Sequence, residues 1–119
     1  MKVLTVDDSA VMRQMVKFTL ESTGAHACIE AEDGAQAMQL LQHETPDLII
    51  SDINMPHMNG YDFVTALRAD ARFKFTPILM LTTEVNDAAQ KRSKEVGATG
   101  WLAKPFQPDK LLQVIAKFS

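Results

Sequence analysis

Residues Leu48–Asp52, with the sequence LIISD, are the most informative stretch for the fold of this chain. The stretch has the length of one β-strand, and its apolar residues follow one another without polar interruption, which is typical of a strand buried on both faces. Its last residue is a carboxylate. We therefore predict a strand of a parallel sheet here, with Asp52 at its carboxyl end.

Four similar apolar runs lie on either side of this stretch, and helical patterns separate all five. The runs are Lys2–Val6, Ala27–Ala31, Pro77–Thr82 and Gly100–Ala103. Between them, apolar residues recur every three or four positions, as in an amphipathic helix. In the first predicted helix, one face carries Val11, Met15 and Phe18, with Met12, Val16 and Thr19 beside them. The last helix repeats this period at Leu111, Leu112, Ile115 and Phe118.

Capping residues, glycines and a proline fall at the predicted helix boundaries. In chain order they are Ser9, Gly24, Asp33, Gly60, Asn86 or Asp87, Gly97 and Pro108. Strict alternation of strand and helix predicts a parallel sheet with helices on both faces. Because no linker or repeat interrupts this pattern, we expect a single α/β domain over residues 1–119.

The bulk composition is that of an ordinary globular domain. Of the 119 residues, 46% are hydrophobic and 23% are charged, and the formal net charge is −3. These values argue against a disordered chain and against a basic nucleic-acid-binding surface. The early acidic residues do not match a signal peptide, and no apolar run is long enough to span a membrane. We expect a cytoplasmic monomer, with the lone Cys28 packed as a small apolar residue.

Polar side chains follow four of the five predicted strands, at the point where each strand ends. Asp7 and Asp8 follow the first, Asp52 ends the third, Thr82 ends the fourth and Lys104 follows the fifth. Ligands of open α/β sheets bind in the crevice beyond the carboxyl ends of the strands. Each residue alone has an ordinary structural explanation, but their coincidence at one edge predicts a functional site.

Three carboxylates at one edge require a cation. Two carboxylates about 4 Å apart repel by about 4 kcal/mol at an effective dielectric constant near 20. Lys104 offsets one charge, and a hard, oxygen-liganded ion such as Mg²⁺ fits the remainder. Zinc is not indicated, because His26, His43 and His57 are scattered along the chain.

A phosphoryl group would give each of these residues a role. Asp52 would attack phosphorus as a carboxylate nucleophile and form an acyl phosphate. Mg²⁺ and Lys104 would neutralise the equatorial oxygens of the transition state, and the Thr82 hydroxyl would donate a hydrogen bond to one of them. The predicted catalytic residues are therefore Asp52, Thr82 and Lys104.

Five separated elements together resemble the response-regulator receiver domain over essentially the whole chain. They are Asp7-Asp8, Ser51-Asp52-Ile53-Asn54-Met55-Pro56, Met58-Asn59-Gly60, Thr82 and Lys104-Pro105-Phe106. The resemblance implies a doubly wound, flavodoxin-like sheet of five strands in the order 2-1-3-4-5, with five helices. The opening Val6-Asp7-Asp8-Ser9 is most similar to that of the single-domain chemotaxis regulators of this family.

This resemblance also implies a signalling protein rather than an enzyme acting on other molecules. Asp52 would be phosphorylated by a histidine kinase, and the domain would catalyse that transfer and its own dephosphorylation. Asp8, Asp52 and the backbone carbonyl of Asn54 would ligate Mg²⁺, and Asp7 would act mainly through water. Asn54 and Glu84 match the positions that tune dephosphorylation.

The resemblance further implies a switch that couples Thr82 to an aromatic residue on the fifth strand. Trp101 holds that place, where Tyr or Phe is more usual, and its indole offers only an N–H donor. The Lys104–Pro105 peptide bond is expected to be cis. The fourth helix, fifth strand and fifth helix would form the partner surface. Beyond the kinase, the implied partners are a flagellar motor switch protein and a phosphatase.

There are three alternatives to this function. A flavodoxin-type phosphate- or flavin-binding module needs a glycine- and hydroxyl-rich first loop, whereas Asp7-Asp8-Ser9-Ala10 is acidic. An aspartyl phosphohydrolase of the haloacid dehalogenase type needs an Asp-x-Asp motif after the first strand, which this sequence lacks. The third alternative, a receiver acting as a phosphate sink or adaptor in another two-component pathway, stays open.

Overall fold

Strands and helices alternate throughout the computed structural model, which describes residues 1–83 and 86–118. The strands are β1 (Lys2–Val6), β2 (Ala27–Ala31), β3 (Leu48–Asp52), β4 (Ile78–Thr82) and β5 (Gly100–Ala103). The helices are α1 (Ala10–Glu21), α2 (Gly34–Leu40), α3 (Gly60–Arg68), α4 (Asp87–Val96) and α5 (Pro108–Ala116), with a short 3₁₀ helix at Ala71–Phe73. β4 begins one residue later than predicted, after Pro77, which has no N–H to donate to the ladder.

All five strands are parallel and lie in the order β2-β1-β3-β4-β5, which confirms the predicted fold class. The register pairs Val6 with Ser51, Asp52 with Leu81, and Thr82 with Ala103. Because the strands are parallel and nearly in step, their carboxyl ends form one edge. The residues that follow β1, β3, β4 and β5 therefore lie close together.

Two hydrophobic cores lie on opposite faces of this sheet, because successive strand residues point to opposite sides. Leu4 and Ile49 belong to the first core, and Val3 and Ile50 belong to the second. The first core is completed mainly by α2 and α3, and the second by α1 and α5. Phe63 of α3 is fully buried, and truncating such a residue to Ala typically costs about 3–5 kcal/mol.

Helix α1 packs through a different face from the one its first apolar stripe indicated. Val11, Met15 and Phe18 do share a face, but that face is exposed, and Phe18 is 77% exposed. The buried residues are Val16, Thr19 and Leu20. Thr19 tolerates burial because its hydroxyl donates to the Met15 carbonyl at 2.8 Å. The helix carries two apolar stripes, and packing against β2 and α5 selects one of them.

The predicted caps are confirmed. Ser9 Oγ accepts from the Met12 N–H at 3.2 Å, and Asp33 Oδ1 accepts from the Gln36 N–H at 2.8 Å. Of the two candidates for α4, Asn86 is the cap. Across the described ranges, every helix is too short or too polar to cross a bilayer.

Candidate active site

Three carboxylates meet at the carboxyl edge of the sheet. Oxygen atoms of Asp7, Asp8 and Asp52 all lie within 4.8 Å of one another. Asp7 is 2% exposed and Asp52 is 6% exposed, whereas Asp8 is open to solvent. The sheet brings them together because β1 and β3 are hydrogen-bonded neighbours. The cluster thus has a buried side and an accessible side.

Backbone hydrogen bonds orient the two buried carboxylates. Asp7 Oδ1 accepts from the Ser9 N–H at 2.9 Å, and Asp52 Oδ1 accepts from the Ile53 N–H at 2.8 Å. The Asp7 N–H itself donates to the Ala31 carbonyl at 3.1 Å. Each carboxylate therefore has one oxygen tied to its own loop and keeps its Oδ2 for the site.

Lys104 bridges these two free oxygens. Its Nζ lies 2.7 Å from Asp7 Oδ2 and 3.1 Å from Asp52 Oδ2. The Lys104 N–H donates to the Thr82 carbonyl at 2.8 Å, which fixes the backbone from which the ammonium reaches the cluster. The Lys104–Pro105 peptide is cis, as predicted.

Burial and charge shift the ionisation of the site. Burial, together with the neighbouring Asp7 charge, raises the pKa of Asp52, although Lys104 and the Ile53 N–H oppose this change. For Lys104, burial disfavours the ammonium, but the hydrogen bonds and charges of Asp7 and Asp52 outweigh burial and raise its pKa. One ammonium thus faces three carboxylates, so the cluster keeps an excess of negative charge.

The donor set fits a hard divalent cation. Asp7 Oδ2 is buried and, apart from its ion pair with Lys104, has no hydrogen-bond partner among the residues described. The cluster offers carboxylate oxygens only, and Asp8 stands on its open side. Oxygen ligands with room for water are what Mg²⁺ requires. Asp7, Asp8 and Asp52 are therefore suited to hold this ion.

Three further predicted site residues lie in β4, in β5 and in the segment that follows β3. Thr82 is buried at the end of β4, and Asn54 is exposed two residues beyond Asp52. Trp101, on β5, pairs in register with Met80 and is 37% exposed. Glu84, predicted to tune dephosphorylation, lies outside the described residues.

Arg13 also contacts the site, although the sequence analysis did not predict it. Its Nη1 donates a hydrogen bond to the Asp7 carbonyl, and its Nε lies 3.3 Å from Glu30 Oε1 on β2. Local sequence carried one signal, since Arg13 falls in the first turn of the helix that follows Asp7-Asp8. The contact with Glu30 depends on the pairing of β1 with β2 and was not predictable from spacing.

The sequence matches known proteins over most of its length. The family model described as response regulator receiver domain matches residues 3–116. The chain belongs to the response-regulator receiver family. CheY1 of Helicobacter pylori is 42% identical over 112 residues, covering 93% of this chain and 90% of that protein. CheY of Pseudomonas aeruginosa is 38% identical over 117 residues, covering 98% and 94%.

Solved structures of receiver domains superpose on nearly the whole chain. CheY4 of Vibrio cholerae superposes with a TM-score of 0.93 at 49% identity, covering 99% of this chain and 98% of that one. The receiver domain of the sensor histidine kinase PA1611 from Pseudomonas aeruginosa has a TM-score of 0.89 at 26% identity, covering 98% and 95%. That structure is described with a magnesium ion coordinated in its active-site cleft. The predicted resemblance to receivers of the chemotaxis type is confirmed, and such a CheY-like receiver is a signalling protein.

Proposed function

We propose that this receiver is a phosphorylation-controlled chemotaxis regulator whose Asp52 accepts a phosphoryl group from a histidine kinase in a Mg²⁺-dependent reaction. The observation that carries the proposal is the Lys104 ammonium, 2.7 Å from Asp7 Oδ2 and 3.1 Å from Asp52 Oδ2 in a cluster of three carboxylates. A purely structural ion pair would need one carboxylate for one ammonium. A bound cation would account for the excess acid, and together with Lys104 it would give a phosphoryl group positive partners at Asp52.

Asp52 Oδ2 is the expected nucleophile, because Oδ1 is held by the Ile53 N–H of its own loop, whereas Oδ2 lies beside the Lys104 ammonium that would receive the phosphoryl oxygens. The Oδ2–P bond forms as the bond between phosphorus and the imidazole nitrogen of the donor breaks, and the electron pair of that bond stays on the nitrogen. Lys104 pairs with the developing charge on one phosphoryl oxygen, and the Thr82 hydroxyl donates to another. Asp8, Asp52 and the Asn54 carbonyl would hold Mg²⁺, with Asp7 acting mainly through water, and the ion would supply charge neutralisation for the incoming dianion.

The proposed output is a change of partner affinity on the surface formed by α4, β5 and α5. An open groove of about 570 Å³ lies there, and its lining includes Lys91, Lys94 and Trp101. β4, which ends in Thr82, lies between β3 and β5. A phosphoryl group that contacts Thr82 would therefore affect Trp101 on β5, two strands away from Asp52. Phosphorylation would shift a pre-existing equilibrium toward the partner-binding form. Asn54 and Glu84 would set the rate of dephosphorylation, assisted by a phosphatase.

Incubation with acetyl phosphate and Mg²⁺ tests the chemistry. The wild-type chain should gain the mass of one phosphoryl group, and the fluorescence of Trp101, the single tryptophan, should change. Asp52→Asn should show neither effect, whereas Asp62→Asn, which removes an exposed carboxylate of α3, should behave as wild type. Absence of phosphoryl incorporation into the wild type with Mg²⁺ present contradicts the proposal.

The remaining alternative, a phosphate sink or adaptor, differs only in its output. Peptides from a flagellar switch protein can be tested for binding to the chain with and without beryllofluoride, which mimics the phosphoryl group. Binding that requires beryllofluoride supports motor control. A chain that is phosphorylated but binds the peptides in neither state is a sink or adaptor.

A further inference from the structure

Arg13 lies directly behind the loop that carries Asp7 and Asp8. Its side chain is 13% exposed, so the guanidinium is largely withdrawn from solvent. Nη1 donates to the Asp7 carbonyl, and Nε lies 3.3 Å from Glu30 Oε1. Lys17, one helical turn further along α1, approaches the other Glu30 oxygen at 3.9 Å and has no such contact with the acidic loop. Arg13 thus connects Glu30 of β2 to the backbone of the loop that carries Asp7 and Asp8.

The held carbonyl restrains the backbone from which the Asp8 side chain departs. The peptide unit from the Asp7 Cα to the Asp8 Cα is planar, so fixing the Asp7 oxygen fixes the plane from which Asp8 departs. The Asp7 N–H is already bound to the Ala31 carbonyl, and Asp7 Oδ1 to the Ser9 N–H. The Asp8 carboxylate is exposed, and among the residues described its side chain has no hydrogen bond of its own. Its position therefore depends on this backbone.

Glu30 offsets the positive charge of Arg13 beside the metal site. An uncompensated guanidinium near three carboxylates would repel an incoming metal ion and weaken its binding. Glu30 pairs with that charge while orienting the planar guanidinium toward the Asp7 carbonyl. The pair can thus supply a directed hydrogen bond with little net charge.

We propose that Arg13, oriented by Glu30, is a positioning residue for the metal site: it fixes the Asp7–Asp8 peptide so that the Asp8 carboxylate stands ready to bind Mg²⁺. This inference rests on the proposed function for the identity of the ion. The expected change in Mg²⁺ affinity on removal of Arg13 has a definite direction. If Arg13 mattered only through its charge, removing it would tighten Mg²⁺ binding, whereas loss of positioning weakens binding.

The test is calorimetric titration of Mg²⁺ alone into the wild type and variants, without any phosphodonor. Arg13→Met should weaken Mg²⁺ affinity by about tenfold, the lower end of what loss of a ligand-orienting partner costs. Glu30→Gln should weaken it as well, because Arg13 then loses its orienting partner and keeps its charge. Lys17→Met is the matched control, since it removes a cation that also pairs with Glu30, and it should bind Mg²⁺ as the wild type does.

Rates provide a second readout. At saturating Mg²⁺, Arg13→Met should be phosphorylated by acetyl phosphate as fast as the wild type, while the Mg²⁺ concentration for half-maximal rate rises by about tenfold. If the Met variant does not fold, Arg13→Lys carries the test, because one ammonium cannot serve both partners with the same geometry. Its Mg²⁺ affinity should also fall below that of the wild type.

The outcomes separate this inference from the proposed function. Unchanged or tighter Mg²⁺ binding by the Arg13 variants, with Mg²⁺-dependent phosphorylation of the wild type intact, overturns the positioning role alone. A wild-type chain that binds no Mg²⁺ overturns both.

Discussion

Gly60 and Asp52 approach each other so closely that a Cβ atom on residue 60 would lie 2.3 Å from the Asp52 carbonyl oxygen. The Gly60 N–H donates to the Ile53 carbonyl at 2.7 Å. The first turn of α3 therefore rests on the backbone of the proposed phosphoacceptor. This close approach explains why glycine opens the helix, and it links the geometry of the site to the packing of α3.

Gly60→Ala should destabilise the protein by about 1–3 kcal/mol, since the new methyl group must displace backbone. Gly34→Ala is the matched comparison, because the nearest atoms to its Cβ would belong to the Met58 side chain, at 2.9 Å, and not to the backbone. Urea unfolding measures both, and the Gly34 variant should lose less stability than the Gly60 variant. Equal losses would show that the contact with backbone at Gly60 costs no more stability than the contact with a side chain at Gly34.

Metal should stabilise the folded chain through Asp8. At a Mg²⁺ concentration of one hundred times the dissociation constant, linkage predicts about 2.7 kcal/mol of added stability, which EDTA should remove. Asp8→Asn should lose most of this gain. Because Asp8 adds to the repulsion among the three carboxylates, the metal-free variant should be at least as stable as the wild type. Thermal unfolding with Mg²⁺ and with EDTA distinguishes these effects, and a full Mg²⁺ gain in the variant would exclude Asp8 as a ligand.

Asp52 should make the metal-free protein less stable as pH rises. Its pKa is raised in the folded state, chiefly by burial and then by the Asp7 charge, so the folded chain holds this proton at pH values where the unfolded chain has lost it. The contribution of Asp52 to stability therefore falls between its ordinary pKa and its raised pKa. Asp52→Asn should be more stable than the wild type above that window, and the difference should shrink as pH falls through it. Unfolding in EDTA across this range tests the sign, and a difference independent of pH would contradict it.

Lys104→Met should be destabilising in the absence of metal. The Lys104 ammonium is the close cationic partner of Asp7, which is 2% exposed, and breaking such a pair typically costs about 3–5 kcal/mol. Protonating the carboxylates at low pH should recover part of the loss. Lys110→Met, an exposed lysine of α5, is the control and should change stability little. Denaturant unfolding at neutral and acidic pH measures both, and a loss that acid does not reduce would argue for packing rather than charge.

The local features of the fold were determined by sequence. Short apolar runs predict the five strands. Ser9, Asp33, Gly60 and Gly97 mark the ends of the helices between them, because capping and turn geometry depends on a few neighbouring residues. The edge that gathers Asp7, Asp8, Asp52, Thr82 and Lys104 was predictable too, because parallel strands necessarily end on the same side.

Only the tertiary structure decided which face of α1 is buried and which side chains from separate elements are in contact. Periodicity could not choose between the two apolar stripes of α1, and packing buries Val16 and Leu20 while leaving Phe18 exposed. The bridge from Lys104 to both Asp7 and Asp52, and the link from Glu30 through Arg13 to the Asp7 carbonyl, join residues from separate elements. Local sequence determines backbone conformation and period, whereas these contacts depend on distances of a few ångströms that are set when helices and strands pack together.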